Sequence, residues 1–90
     1  MTIARRVTVS GRVQGVFFRA WTREQAVRLG VCGWVRNCAD GNVEAHLEGD
    51  ESAVQQLIDA MRQGPSGAKV EALDCKAAEP SGALSFEVTH

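Results

Sequence analysis

The chain has 90 residues, 44% of them hydrophobic and 23% charged, with a formal net charge of −1. That length predicts one domain over residues 1–90, built on a single two-layer core without repeats or low-complexity stretches. The charge balance argues against a nucleic-acid binder, and no run has the length of a membrane span or the form of a signal peptide, so the expectation is a cytoplasmic protein.

Arg5-Arg6-Val7-Thr8-Val9-Ser10 alternates polar and β-branched side chains, which predicts a half-buried strand over 5–10. Residues 11–18 follow as a loop containing Gly11 and Gly15. A helix is predicted over about 19–29, with Phe18, Thr22, Ala26 and Leu29 forming its apolar stripe and Gly30 its C-terminal cap. Residues 31–38 read as a strand. Ala39-Asp40-Gly41-Asn42 carries a turn signal, and 43–48 completes a hairpin with Val43, Ala45 and Leu47 on one face and Glu44, His46 and Glu48 on the other. Asp50 is the expected N-cap of a second helix, in which Val54, Leu57, Ile58 and Met61 recur at helical spacing until Gly64-Pro65 ends it. Residues 69–77 predict a fourth strand whose two halves lie on different phases, a conflict that a bulge or bend resolves. Beyond the turn at Glu79-Pro80-Ser81-Gly82, Leu84, Phe86 and Val88 alternate in a short last strand. The order β-α-β-β-α-β plus a terminal strand is an α+β, ferredoxin-like two-layer sandwich: an antiparallel sheet with two helices on one face.

Function is most legible between Gly11 and Arg19. A strand runs through a glycine loop directly into a helix N-terminus, where unpaired backbone N–H groups and the positive dipole end suit a phosphate. Gly15 opens the backbone to a ligand, successive N–H groups from Gln14 to Phe18 can form an anion nest, and Arg19 adds a planar fork of donors. A cation at a helix N-terminus costs roughly 0.3–1 kcal/mol, a cost that a bound anion reverses. Arg5, Arg6, Arg12, Arg23 and Arg28 make this half of the chain basic within an acidic whole, which suits a small anion better than a long polyanion. The nucleotide P-loop GxxxxGK[ST] is missing. The residues six places after Cys32, Cys38 and Cys75 are Cys38, Glu44 and Ser81, so no cysteine-nucleophile phosphatase loop is encoded either.

Gly11-Arg12-Val13-Gln14-Gly15-Val16-Phe17-Phe18-Arg19 resembles the signature loop of the acylphosphatases, as does Gly33-Trp34-Val35-Arg36-Asn37 followed by Asp40-Gly41-Asn42-Val43-Glu44. The resemblance extends over nearly the whole chain. It implies a ferredoxin-like sandwich that hydrolyses acyl phosphates to a carboxylate and inorganic phosphate without metal or cofactor. It makes Arg19 the phosphate-binding arginine, Asn37 the residue that positions the attacking water, and the loop Gln14, Gly15, Val16, Phe17, Phe18 the backbone cradle. Family members often carry threonine after the asparagine. Here the residue is Cys38, a poorer hydrogen-bonding group, with a modest expected effect on rate.

Other residues carry less. Cys32 and Cys38, on one extended strand, stand about 20 Å apart, too far for a disulfide, and all three cysteines are expected as reduced thiols. The two histidines and three cysteines show no metal-ligand spacing; His46 reads as a solvated or sheet-face residue, His90 as frayed, and Trp21 and Trp34 as packing residues. An RNA-recognition motif shares the element order but needs aromatics on its central strands, and 42–48 has none. The alternative function is an acylphosphatase-like domain that binds phosphate or regulates without catalysis. A monomer acting on a small-molecule substrate is expected, with no nucleic-acid or membrane partner.

Overall fold

The structure, a computed structural model, describes residues 1–89; His90, expected to fray, lies outside them. The described chain runs β1 (Thr2–Arg12), α1 (Phe18–Leu29), β2 (Cys32–Asn37), β3 (Val43–Asp50), α2 (Glu51–Gln63), β4 (Lys69–Ala78) and β5 (Phe86–Thr89). The sheet order is β4-β1-β3-β2-β5. Strand β3 lies between β1 and β2 and is antiparallel to both, so β1 and β2 run the same way, while β5 pairs parallel to β2. This is the expected α+β sandwich with the fifth strand added at the β2 edge.

Side chains alternate across the sheet. Val7, Val9, Val35, Val43, Ala45 and Leu47 point to the helix side, where they meet Phe18 and Ala26 of α1 and Val54, Leu57, Ile58 and Met61 of α2 in one buried cluster. Fully burying an aliphatic or aromatic side chain contributes about 1.5–3 kcal/mol, so this layer holds the helices in place. In α1, Phe18, Thr22 and Ala26 are buried and Leu29 is half-buried against the core, and all four predicted positions are buried in α2.

The phase conflict in β4 is resolved by a bulge. Ser10 pairs with Ala72 and Gly11 with Val70, leaving Glu71 as the extra residue. The insertion returns Val70 and Leu73 to the same, core-facing side. Gly11 has φ 120° there, and a Cβ on it would overlap the Lys69 carbonyl oxygen.

Several local expectations are corrected. Strand β1 begins three residues earlier and ends two later than the alternation predicts, which shortens the following loop to residues 13–17. Cys38 lies just beyond β2. Asp50 occupies the N-cap position of α2 without capping it: its carboxylate accepts from Ser52 Oγ at 3.1 Å and from the N-terminal amine at 3.4 Å instead. Leu84 is 96% exposed and outside β5, whose apolar alternation begins at Phe86.

His46 is a sheet-face residue, one of the two alternatives expected, but it is not solvated, being 3% exposed. On the helix-free face its ring stacks on Trp34 with centroids 6.1 Å apart, and its Nε2 lies 2.7 Å from Glu48 Oε2. Glu48 is also buried, because the connection between β4 and β5 folds over it: the Ser81 hydroxyl, the Ser81 N–H (2.8 Å) and the Gly82 N–H (3.1 Å) all donate to its carboxylate. Burial alone would push this carboxyl up, but the donated hydrogen bonds outweigh it and hold the group at about 2.

Candidate active site

The topology brings three strand ends together. Strands β1, β2 and β5 run in one direction, so Arg12, Asn37 and Thr89 finish at the same end of the sheet, where the loop 13–17 leads into the N-terminus of α1. Direct bonds tie these parts together. Gln14 Nε2 donates to the carbonyls of Cys38 and Asn42, each at 2.9 Å, fastening the loop to the turn that follows Asn37. Arg19 Nη1 donates to the Thr89 carbonyl at 3.0 Å, and Thr89 pairs with Arg36, the neighbour of Asn37.

The loop presents donors. Among the described residues, no backbone carbonyl accepts from the N–H groups of Gln14, Gly15, Val16 or Phe17. Gly15 has φ 75° and nothing within 4 Å of the place a Cβ would take. Phe17 has φ 60° and ψ 23°, left-handed backbone that costs a residue with a Cβ roughly 1–2 kcal/mol. Strain of this kind concentrates at functional sites, where the surroundings hold the backbone in place. Phe17 caps α1 through its carbonyl, which accepts from Trp21 N at 2.9 Å, and Phe18 plugs the core beneath the loop, 1% exposed. Phe18 and Trp21 pack at 5.6 Å between ring centroids, which bears out the structural reading of Trp21.

Asn37 shares the helix-facing side of β2 with Val35, and its Oδ1 is buried with no hydrogen-bond partner among the described residues. An unpartnered buried amide oxygen is costly, and a bound water or ligand donor relieves that cost. Arg19 is half-buried at the first turn of α1, with its guanidinium set against the end of β5.

Of the arginines singled out by their clustering, Arg12 ends β1 at the site end of the sheet, while Arg6, Arg23 and Arg28 are engaged elsewhere. Arg23 Nε donates to the Phe86 carbonyl at 3.1 Å, and Arg28 pairs with Glu24 on the helix surface. Arg6 and Arg36 stand on the opposite face of the sheet, over the Trp34 ring, where both pair with Glu44. The Arg36 hydrogen bond holds the Glu44 carboxyl below its ordinary range. Arg36 therefore adds no charge beside Asn37.

The Cys38 thiol is pushed up, first by burial and then by the nearby carboxylates of Glu44 and Asp40, so it is no activated thiolate. All three cysteines are unpaired. Two contributors were missed in the sequence. The amide of Gln14 fastens the cradle, although its spacing suggested only a backbone role. The Thr89 carbonyl orients Arg19 and leaves no signal, since every residue has a carbonyl.

This geometry agrees with what the chain resembles. The acylphosphatase family profile matches residues 5–88. An acylphosphatase from Gloeobacter violaceus is 58% identical over 82 residues, covering 91% of this chain and 88% of its own length. One from Methanothrix thermoacetophila is 47% identical across the whole of both chains. The crystal structure of acylphosphatase from Bacillus subtilis superposes with a TM-score of 0.95 at 34% identity, covering 100% of each chain. The chain belongs to the acylphosphatase family.

Proposed function

We propose that this acyl phosphate hydrolase holds the phosphoryl group of its substrate on the N–H groups of Gln14, Gly15, Val16, Phe17 and Phe18 and on the Arg19 guanidinium, and that Asn37 aims the attacking water. The reading rests on one observation: a row of unpartnered backbone donors stands beside Arg19 at the strand end that also carries Asn37. An acyl phosphate has a good leaving group, because the carboxylate departs without a strong acid. Its transition state is loose, with charge spread over the equatorial phosphoryl oxygens, so catalysis is mostly positioning and electrostatics. Aimed N–H donors and a guanidinium supply the electrostatics. Asn37 accepts a hydrogen bond from the water through its unpartnered Oδ1 and holds it in line with the departing carboxylate. A substrate phosphate oxygen takes the water proton, so no protein base is needed.

Cys38 acts here through its backbone. Its carbonyl accepts from Gln14 Nε2 and its N–H donates to Asn42 at 2.8 Å, bonds that any residue supplies. A thiol in the threonine position therefore costs little rate. The reading extends to a single domain over 1–90 acting as a monomer on a small acyl phosphate. Three unpaired thiols favour a reducing compartment, the cytoplasm.

The test is phosphate release from benzoyl phosphate and acetyl phosphate by the intact protein and by Asn37→Ala. Turnover by the former and its loss in the latter is expected. Binding of inorganic phosphate without turnover of either compound would favour the non-catalytic, regulatory reading.

A further inference from the structure

Phe17 is the aromatic residue that neither the core nor the backbone accounts for. Its side chain is 85% exposed, while Phe18 beside it is 1% exposed and Phe86 is 4% exposed. Among the described residues it is the only non-glycine with positive φ, a conformation for which glycine or asparagine is better suited. Packing does not call for a large apolar side chain here, and the backbone disfavours one. A benzyl group kept under both conditions, two residues before Arg19, has its use outside the folded chain.

The loop geometry indicates what that use is. If the phosphoryl group sits on the loop N–H groups, as proposed above, the acyl half extends outward past the loop rim. The rim beside Gly15 is open, with nothing within 4 Å of its would-be Cβ. In-line attack sends the leaving carboxylate to the side of the phosphorus opposite the water at Asn37. An exposed ring on the loop then offers the acyl group a flat apolar surface. We infer that Phe17 is a specificity-determining residue: its ring contacts the acyl group of the substrate and selects for flat or branched apolar acyl phosphates over small ones. The backbone of residue 17 serves the phosphoryl group, and its side chain serves the other end of the same molecule.

The experiment compares kcat/KM for benzoyl phosphate and acetyl phosphate in the intact protein and in Phe17→Asn, which tolerates the left-handed backbone and so folds. Aromatic contacts of this size predict that the benzoyl-to-acetyl ratio falls about five-fold, carried mainly by KM for benzoyl phosphate. Phe17→Trp restores the ratio. A strictly structural role moves both substrates together, so an unchanged ratio in Phe17→Asn overturns the inference whatever happens to the absolute rates, as does a Phe17→Trp protein with the same loss. Failure of the underlying phosphate site reads differently: inorganic phosphate would then not compete with substrate in the intact protein.

Discussion

Gln14 and Asn42 are 28 residues apart in the chain, yet Gln14 Nε2 lies 2.9 Å from the Asn42 carbonyl oxygen and donates to it. With its second bond to Cys38, one amide group sets the distance between the proposed phosphate loop and the end of β2. Replacing Gln14 with alanine leaves both carbonyls without this donor and frees the loop. Stability is expected to fall by about 1–3 kcal/mol, measured by denaturant unfolding. Because a shift of about 1 Å in a positioning group can cost a factor of about a hundred, kcat/KM is expected to fall 10- to 100-fold. A variant that loses stability while keeping kcat/KM would show that the clamp serves the fold alone.

Arg19 and Asn37 are expected to fail in different ways. Arg19→Ala removes the charge proposed to meet phosphate in both ground and transition states, so KM is expected to rise and kcat to fall by a factor of about 10²–10³. Arg19→Lys restores little, because an ammonium lacks the planar fork. Asn37→Ala lowers kcat and leaves KM near its original value, since water is aligned only for reaction. If steady-state kinetics instead gave Asn37→Ala a raised KM and an intact kcat, its role in aiming water would be refuted.

Acid stability should follow Glu48. Its carboxyl is held at about 2, below the usual 4.5, so the ionised form is favoured by folding. The stabilisation is complete above pH 4.5 and is lost as pH falls from there toward 2. Glu44, held down by Arg36, and Asp50, held down by Ser52, act in the same direction. Thermal midpoints between pH 5 and 2 are expected to decline steeply in the intact protein and less steeply in Glu48→Gln. Equal slopes would mean that the clasp around Glu48 contributes nothing.

Chelation is expected to leave the activity untouched. Among the described residues, no three histidine, cysteine, aspartate or glutamate side chains group as metal ligands, and the proposed chemistry asks only for N–H donors and a guanidinium. Phosphate release in excess EDTA, after dialysis against chelator, checks this. Inactivation reversed by a divalent cation would defeat the metal-free mechanism.

What was legible in the sequence depended on periodicity and on short-range geometry. Val54, Leu57, Ile58 and Met61 named α2 and its buried face, and the broken phase around Val70 and Leu73 foretold the bulge at Glu71. The loop and Arg19 stood out because a glycine turn feeding a helix start has a recognisable composition. Long-range coverage did not show. That His46 is a buried sheet-face residue and not a solvated one was hidden because a strand's own pattern says nothing of the 81–83 segment, which folds back to donate hydrogen bonds to Glu48 beside it. Leu84 fits an alternation with Phe86 and Val88, but β5 pairs only from Phe86, opposite Gly33. The positive φ of Phe17 was hidden for another reason, since that conformation is a property of the junction and not of the residue type.

Because Arg19 rests on the Thr89 carbonyl, 70 residues further on, the proposed working geometry spans nearly the entire polypeptide. The contact therefore depends on β5 being seated beside β2, where Thr89 pairs with Arg36. Enzymatic turnover can therefore serve as a reporter of that docking. During refolding, phosphate release would begin only once β5 has zipped alongside β2 and brought Phe86 into the core.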